Sequence, residues 1–215
     1  QVALDFVAKE LKRIRDQHGA GGIGMLATPH QTVEELFLLG KLARGFSSGN
    51  VDFRLRQSDF SGDGKLAGAP WLGMKVADIG KLDRVLVVGS TLCKDHPLIA
   101  HRLRQSVKRR SQLNLINPFD DDLLMPVANT AVVAPAAMAD LLAQVLKAAA
   151  QQKNGAVPDA ARPLVERAAV SDAAQRIAAS LVSGKDAAVF LGNLAQHHPQ
   201  AAQLHLLAQA LAEAT

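Results

Sequence analysis

The segment from Arg84 to Pro118 constrains the fold more than any other part of the chain. An apolar strand, RVLVVGS, runs through a turn, STLCKD, into a helix opening at His96-Pro97, and a second strand, LNLINP, follows. Two strands joined through a helix make a β-α-β crossover, and such crossovers build parallel sheets with helices on their faces. Gly89 and Ser90 end the first strand, where α/β folds bind phosphates and nucleotides.

The rest of the chain repeats this alternation. A first helix, Val2 to Gln17, carries Leu4, Val7, Leu11 and Ile14 on one stripe. A short strand, Ile23 to Ala27, precedes a helix opening near Thr32, with Glu34 and Glu35 in its first turn and Val33, Leu36, Phe37 and Leu39 expected inward. Further on come a strand from Thr130 and a helix from Ala136 to Gln151 that turns Met138, Leu141, Leu142, Val145 and Leu146 inward. A helix capped by Ser171 ends at Gly184, a strand runs from Ala187 to Leu191, and Pro199 opens the last helix. The spacing predicts an α/β fold with a mostly parallel, doubly wound, Rossmann-like sheet and helices on both faces.

Two stretches interrupt the pattern. Residues 47–82 lose periodicity among glycines and serines and read as a long irregular loop region, too long for a routine connection. Residues 151–170 begin with the polar QQKNGAVPD and mark a candidate break between two sub-lobes. Helical pattern is already running at Gln1 and still running at Thr215, so residues 1–215 read as a fragment of a longer chain.

Composition narrows the functional classes. The single cysteine, Cys93, excludes an internal disulfide framework and a cluster held by four local thiolates, and fits an intracellular setting. No uncharged run reaches the ~18 residues of a membrane helix, and the charged start lacks a signal-peptide pattern. A net charge of +4 is only mildly basic, and with aromatics at 4% and no tyrosine the chain lacks stacking platforms, so nucleic acid is not an expected partner.

Several motifs lose their functional meaning in context. Gly19, Gly21 and Gly24 satisfy the dinucleotide-binding spacing, yet they follow a helix and lead into a strand, the reverse of the order that aims a helix N-terminus at a pyrophosphate. They read as a helix end and turn. Ser61 to Lys65, SGDGK, lacks the flanking residues of a phosphate loop and reads as a flexible turn. The basic run H101-R-L-R-Q-S-V-K-R-R110 places His101, Arg104 and Lys108 on one face beside Arg102 and Arg109, with Leu98, Ile99, Leu103 and Val107 toward the sheet. That face suits solvent, or an acidic partner or phosphate. His197-His198 and Asp95-His96 lack metal-ligand spacing, and Asp120-Asp121-Asp122 reads as a solvated turn. Cys93 precedes a helix N-terminus, a place that lowers a thiol's pKa, but no histidine is placed beside it. No catalytic residue or metal ligand emerges.

The runs IGMLATPHQTVEELFLLGKLAR, NVDFRLRQSDF, ADIGKLDRVLVVGSTLCKDHPLIAHRLRQ and LNLINP together resemble the molybdopterin oxidoreductase superfamily. Within it the chain looks most like the large iron-sulfur subunits of bacterial NADH:quinone oxidoreductase, respiratory complex I. In the molybdopterin enzymes the first strand typically ends in Gly-Ser/Ala-Asn-Pro and the next in Asp-Pro-Arg, both contacting the guanine dinucleotide of the cofactor. Gly89 and Ser90 match, but Thr91-Leu92 replaces Asn-Pro, and Asn117-Pro118-Phe119 replaces Asp-Pro-Arg. The carboxylate able to accept from a base or ribose and the fork suited to phosphate are both gone. The resemblance therefore implies a non-catalytic structural and docking domain with no cofactor in residues 1–215, and with iron-sulfur clusters in an N-terminal part outside them. Its partners would be other subunits of the complex I peripheral arm, at the cytoplasmic face of the bacterial inner membrane. Two alternatives use the same strand ends. One is the cofactor-binding part of a true molybdopterin-dependent oxidoreductase such as a formate dehydrogenase, bound through Gly89, Ser90 and Asn117; the other is a nucleotide-binding α/β module.

Overall fold

The computed structural model describes residues 1–65 and 71–215, and the chain divides into two compact units, Gln1–Arg56 and Gln57–Thr215.

The second unit is built on a four-stranded parallel sheet. Its strands are β3 (Arg84–Val88), β4 (Gln112–Asn117), β5 (Asn129–Val132) and β6 (Ala187–Leu191), in the order β5-β4-β3-β6. β3 is central, with Val88 paired to Ile116 on one side and Leu191 on the other. Its side chains alternate between two cores, as a strand covered on both faces requires. Leu86 and Val88 pack with Ile116 against α5 (Met138–Lys153), α7 (Asp172–Val182) and α9 (Ala201–Ala214). Val85 and Val87 pack with Leu113 and Leu115 against Ala100 and Leu103 of α4 (Pro97–Lys108) and against Ile79. Each fully buried Leu or Ile stabilises such a core by about 1.5–3 kcal/mol before the entropy of ordering it is charged. This is the doubly wound α/β arrangement expected from the sequence.

A buried polar network fixes how these parts meet. Asn114, fully buried, donates to the Val85 carbonyl at 3.1 Å and to the Ser180 hydroxyl at 3.0 Å, and accepts from the Asn129 amide at 2.7 Å. One side chain thus ties β4 to β3, to β5 and to α7, and a register slip would leave its amide unpaired in the core.

Element ends follow the local chemistry. Ser171 caps α7 by accepting from Ala174 N–H at 3.3 Å. Residues 151–170 lie inside the second unit and include α6 (Arg162–Arg167), whose Val165 joins the core under α5, so the units divide elsewhere. α9 starts at Ala201, two residues beyond Pro199. Leu98 departs from expectation: it is 76% exposed and takes no part in the core that Leu103 enters.

The first unit holds α1 (Val2–His18), β1 (Met25–Leu26), α2 (Val33–Gly45) and β2 (Val51–Asp52), with β1 and β2 parallel. Thr32 and Glu35 form the reciprocal cap at the start of α2. Gly19 ends α1 at φ +76°, so the dinucleotide-like glycine spacing is a helix end and turn. The expected inward faces are buried only in part. Val33 and Phe37 of α2 are 79% and 60% exposed, Leu4 of α1 is 70% exposed, and α1 has no buried residue. Leu11 and Ile14 of α1 and Leu36 and Leu39 of α2 are half-buried, so each stripe is covered only in part. Residues 47–82 hold more order than an irregular loop, with β2 and a 3-10 turn from Val76 to Lys81 whose Ile79 is fully buried; residues 66–70 of that stretch lie outside the described residues.

Candidate functional site

The C-terminal ends of β3, β4 and β6 converge on the turn at Gly89-Ser90, which the sequence singles out. Gly89 has φ +62°, and a Cβ there would lie 2.7 Å from the Ala195 nitrogen and 3.2 Å from its Cα. The left-handed backbone and the close approach both require glycine. Gly192, at the end of β6, crosses the same turn: a Cβ on it would fall 2.3 Å from Ser90 Cβ and 2.5 Å from the Gly89 carbonyl oxygen.

Most of the turn's polar groups are already paired within the chain. Asn117 is 1% exposed; its side-chain oxygen accepts from Ser90 N–H and its amide donates to the Ser90 carbonyl, both at 2.9 Å. Thr91 N–H donates to the Asp95 carboxylate at 3.2 Å, across the short helix α3 (Leu92–Asp95). The Gly89 carbonyl accepts from Leu194 at 2.9 Å and Ala195 at 3.3 Å, capping α8 (Asn193–Gln196). Gln196 in turn donates to the Leu191 carbonyl. The Ser90 hydroxyl is buried without a partner, enclosed beneath Gly192.

A guanine dinucleotide at these ends needs unpaired N–H donors and a cation for its phosphates. The Ser90, Thr91, Leu194 and Ala195 donors are engaged, and the Asp95 carboxylate already occupies the Thr91 N–H. Phe119 stands in the position that an arginine takes in the cofactor-binding pattern. Asp121 and Asp122 add negative charge close to Cys93 in the adjoining α3. The residues present do not fit the cofactor at this place, and Gly89, Ser90 and Asn117 form a brace.

Cys93 reverses the expectation drawn from its position. Partial desolvation, followed by the Asp121 carboxylate, raises its thiol pKa, with Arg104 opposing, and its Sγ–H points to the Leu123 carbonyl at 3.8 Å. The thiolate is disfavoured there. His198 is buried, with Nε2 donating to the Pro135 carbonyl at 3.0 Å and Nδ1 accepting from Gln200 N–H at 3.0 Å, so both ring nitrogens are used in the fold. Among the described residues no group of three or more His, Cys, Asp and Glu side chains is arranged to hold a metal ion, and no helix is long and apolar enough to cross a membrane.

One structural residue escaped the sequence reading of sites. Asp59 accepts from the Ser61 hydroxyl at 2.6 Å and from Ala202 N–H at 2.9 Å, capping α9 from 143 residues away. It lies in NVDFRLRQSDF, part of the resemblance to the superfamily, but its partner lies too far along the chain for spacing to disclose. The Ser61 hydroxyl, the Ala202 N–H and the Ser61 N–H hold its carboxyl below the usual aspartate range. A folded-state pKa below the unfolded value contributes stability that is present above the unfolded pKa and lost as pH falls through the folded one. Asp59→Asn is therefore expected to cost about 1 kcal/mol at neutral pH, and the deficit should shrink below about pH 4. Urea midpoints of both proteins across that range check it.

A family model for molybdopterin oxidoreductases matches residues 1–215. The putative formate dehydrogenase YrhE of Bacillus subtilis is 35% identical over 115 residues, covering 51% of this chain and 12% of that protein. A nitrate reductase of Klebsiella oxytoca is 27% identical over 118 residues, covering 53% of this chain and 14% of that protein. These curated relatives are thus matched over only a small part of their own length. Among solved structures, acetylene hydratase from Pelobacter acetylenicus shares the fold with a TM-score of 0.63 at 15% identity, over 96% of this chain and 32% of that one. With the family match running from the first residue to the last, and the parallel sheet shared with a solved relative, the chain belongs to the molybdopterin oxidoreductase family.

Proposed function

We propose that this chain is a structural and docking domain of an oxidoreductase in the molybdopterin family, whose strand-end turns brace the sheet and carry no dinucleotide. The observation behind this reading is the reciprocal pair of 2.9 Å hydrogen bonds by which Asn117 closes on Ser90. The finer form of the proposal follows the changed turns GSTL and NPF. The chain would belong to the large iron-sulfur subunit of NADH:quinone oxidoreductase and support electron transfer through clusters bound outside residues 1–215. Its neighbours would be other peripheral-arm subunits of complex I at the cytoplasmic face of the inner membrane.

A second reading rests on the names of the relatives, which favour it over complex I. Formate dehydrogenases and a nitrate reductase are among the matched proteins, in keeping with a formate dehydrogenase-like molybdopterin enzyme whose cofactor meets Gly89, Ser90 and Asn117. The two readings part over the cofactor. The full-length protein, produced in a molybdenum-replete host, is expected to carry iron without stoichiometric molybdenum or pterin fluorescence. One molybdenum per chain would establish the second reading in its place. The 215-residue chain is likewise expected to show no thermal shift with GMP, GDP or NAD, whereas a nucleotide at ~100 times its Kd would stabilise it by about 2.7 kcal/mol.

A further inference from the structure

We infer that the exposed, arginine-rich face of α4 is a docking surface for an acidic protein segment whose carboxylates pair with Arg102, Arg104, Lys108, Arg109 and Arg110. This stands whether or not the neighbouring turns bind a nucleotide. Residues 96–119 contain no Asp or Glu, and all five of these cationic residues are exposed. Some cations elsewhere have local partners, as in the pairs Lys81–Asp78, Arg13–Glu10 and Arg162–Asp159. Among the described residues, none of these five, on α4 and just beyond its end, is in an ion pair.

The helix gains little from this arrangement on its own account. Lys108, Arg109 and Arg110 complement the C-terminal end of the helix dipole, but Arg102 and Arg104 lie too far from that end to do so. Arg104 and Lys108 are four residues apart on the helix, a like-charge spacing that destabilises it. Arg110 adds an independent observation. It has φ +76° just beyond the helix end, where glycine is the residue of least strain. An arginine held in that conformation extends the basic face at a backbone cost.

The chemistry of the face favours protein carboxylates. Four of the five cations are arginines, whose planar forks take carboxylates through two hydrogen bonds. A helix that lies on lipid needs an apolar face to insert, whereas the apolar side of α4 is committed to the protein core through Ala100 and Leu103, leaving Leu98 as its exposed large apolar residue. Binding single-stranded nucleic acid needs aromatic platforms beside the cations, and residues 96–118 contain no aromatic ring other than those of His96 and His101.

The test is a fluorescence anisotropy titration of the 215-residue chain with labelled poly-glutamate at low and high salt, beside double-stranded DNA and phosphatidylserine vesicles. Salt-sensitive binding to poly-glutamate is expected, weakened about tenfold by Arg102→Ser/Arg104→Ser and unchanged by Lys9→Ser/Lys12→Ser on α1. Arg110→Gly should raise Tm while weakening poly-glutamate binding, a combination that a purely structural arginine would not produce. The inference is overturned by absent binding at low salt, by tighter binding to DNA or vesicles, by an equal loss from the α1 pair, or by unchanged affinity in Arg110→Gly.

Discussion

Gly89→Ala is expected to destabilise the second unit by about 3–5 kcal/mol, a large share of the ~5–15 kcal/mol that holds a typical domain folded. Two costs combine. At φ +62° an alanine pays about 1–2 kcal/mol in backbone strain. The larger part comes from the Cβ meeting the Ala195 nitrogen at 2.7 Å, because the obstacle is backbone that no rotamer change can move. Relief requires α8 to shift, and α8 is held by the bonds from Leu194 and Ala195 to the Gly89 carbonyl and by the fully buried Ala195. Gly192→Ala separates the two costs. Its φ is −83°, so its penalty comes from crowding against Ser90 and the Gly89 carbonyl alone. Gly155→Ala is the control, since nothing lies within 4 Å of its added Cβ and its expected change is under about 0.5 kcal/mol. Urea unfolding followed by far-UV circular dichroism should order the midpoints as Gly155→Ala above Gly89→Ala and Gly192→Ala. Equal midpoints for Gly155→Ala and Gly89→Ala would show that the turn yields freely.

What the sequence disclosed depended on how local the physics was. β3 announces itself because a strand buried on both faces reads as a short apolar run, and the caps at Thr32 and Ser171 are written within four residues. The strand order was not legible, since β3 pairs with β6 across about 100 residues and no local pattern names that partner. Periodicity found the stripes on α1 and α2, but a stripe states only that a surface is apolar, not what covers it. At the turn, glycine and serine marked the end of β3. Their role came instead from contacts 27 residues apart for Asn117 and Ser90, and from Ala195 in a different crossover. Cys93 shows the same limit: proximity to a helix start lowers a thiol's pKa in general, while partial desolvation and the Asp121 carboxylate raise this one.

Asn117→Asp is expected to convert that brace into a pH-dependent weakness. The change replaces the amide that donates to the Ser90 carbonyl at 2.9 Å with an oxygen, so two acceptors face each other unless the new carboxyl keeps its proton. At 1% exposure, burial also disfavours the charged form, and both effects raise the folded-state pKa above the unfolded value of about 3.9. For a raised pKa the stability is fully present below the unfolded value and is lost as pH rises toward the folded one. The variant should therefore lie closest to the unmodified protein near pH 4 and fall behind by about 3 kcal/mol at pH 7. Asn117→Ala removes both hydrogen bonds and leaves Ser90 N–H and C=O buried without partners, at a cost of about 2–4 kcal/mol that does not vary with pH. Chemical denaturation at a series of pH values distinguishes a buried carboxyl from a lost contact, and a flat difference for Asn117→Asp would overturn the brace. The comparison also bears on function. Aspartate is the residue that the cofactor-binding pattern places here, and a turn closed by Asn117 on Ser90 makes a return to it costly. Binding of GDP or GMP gained by Asn117→Asp/Phe119→Arg would show that the site had only lost its ligands; loss of stability without binding would show that the turn has been rebuilt as structure.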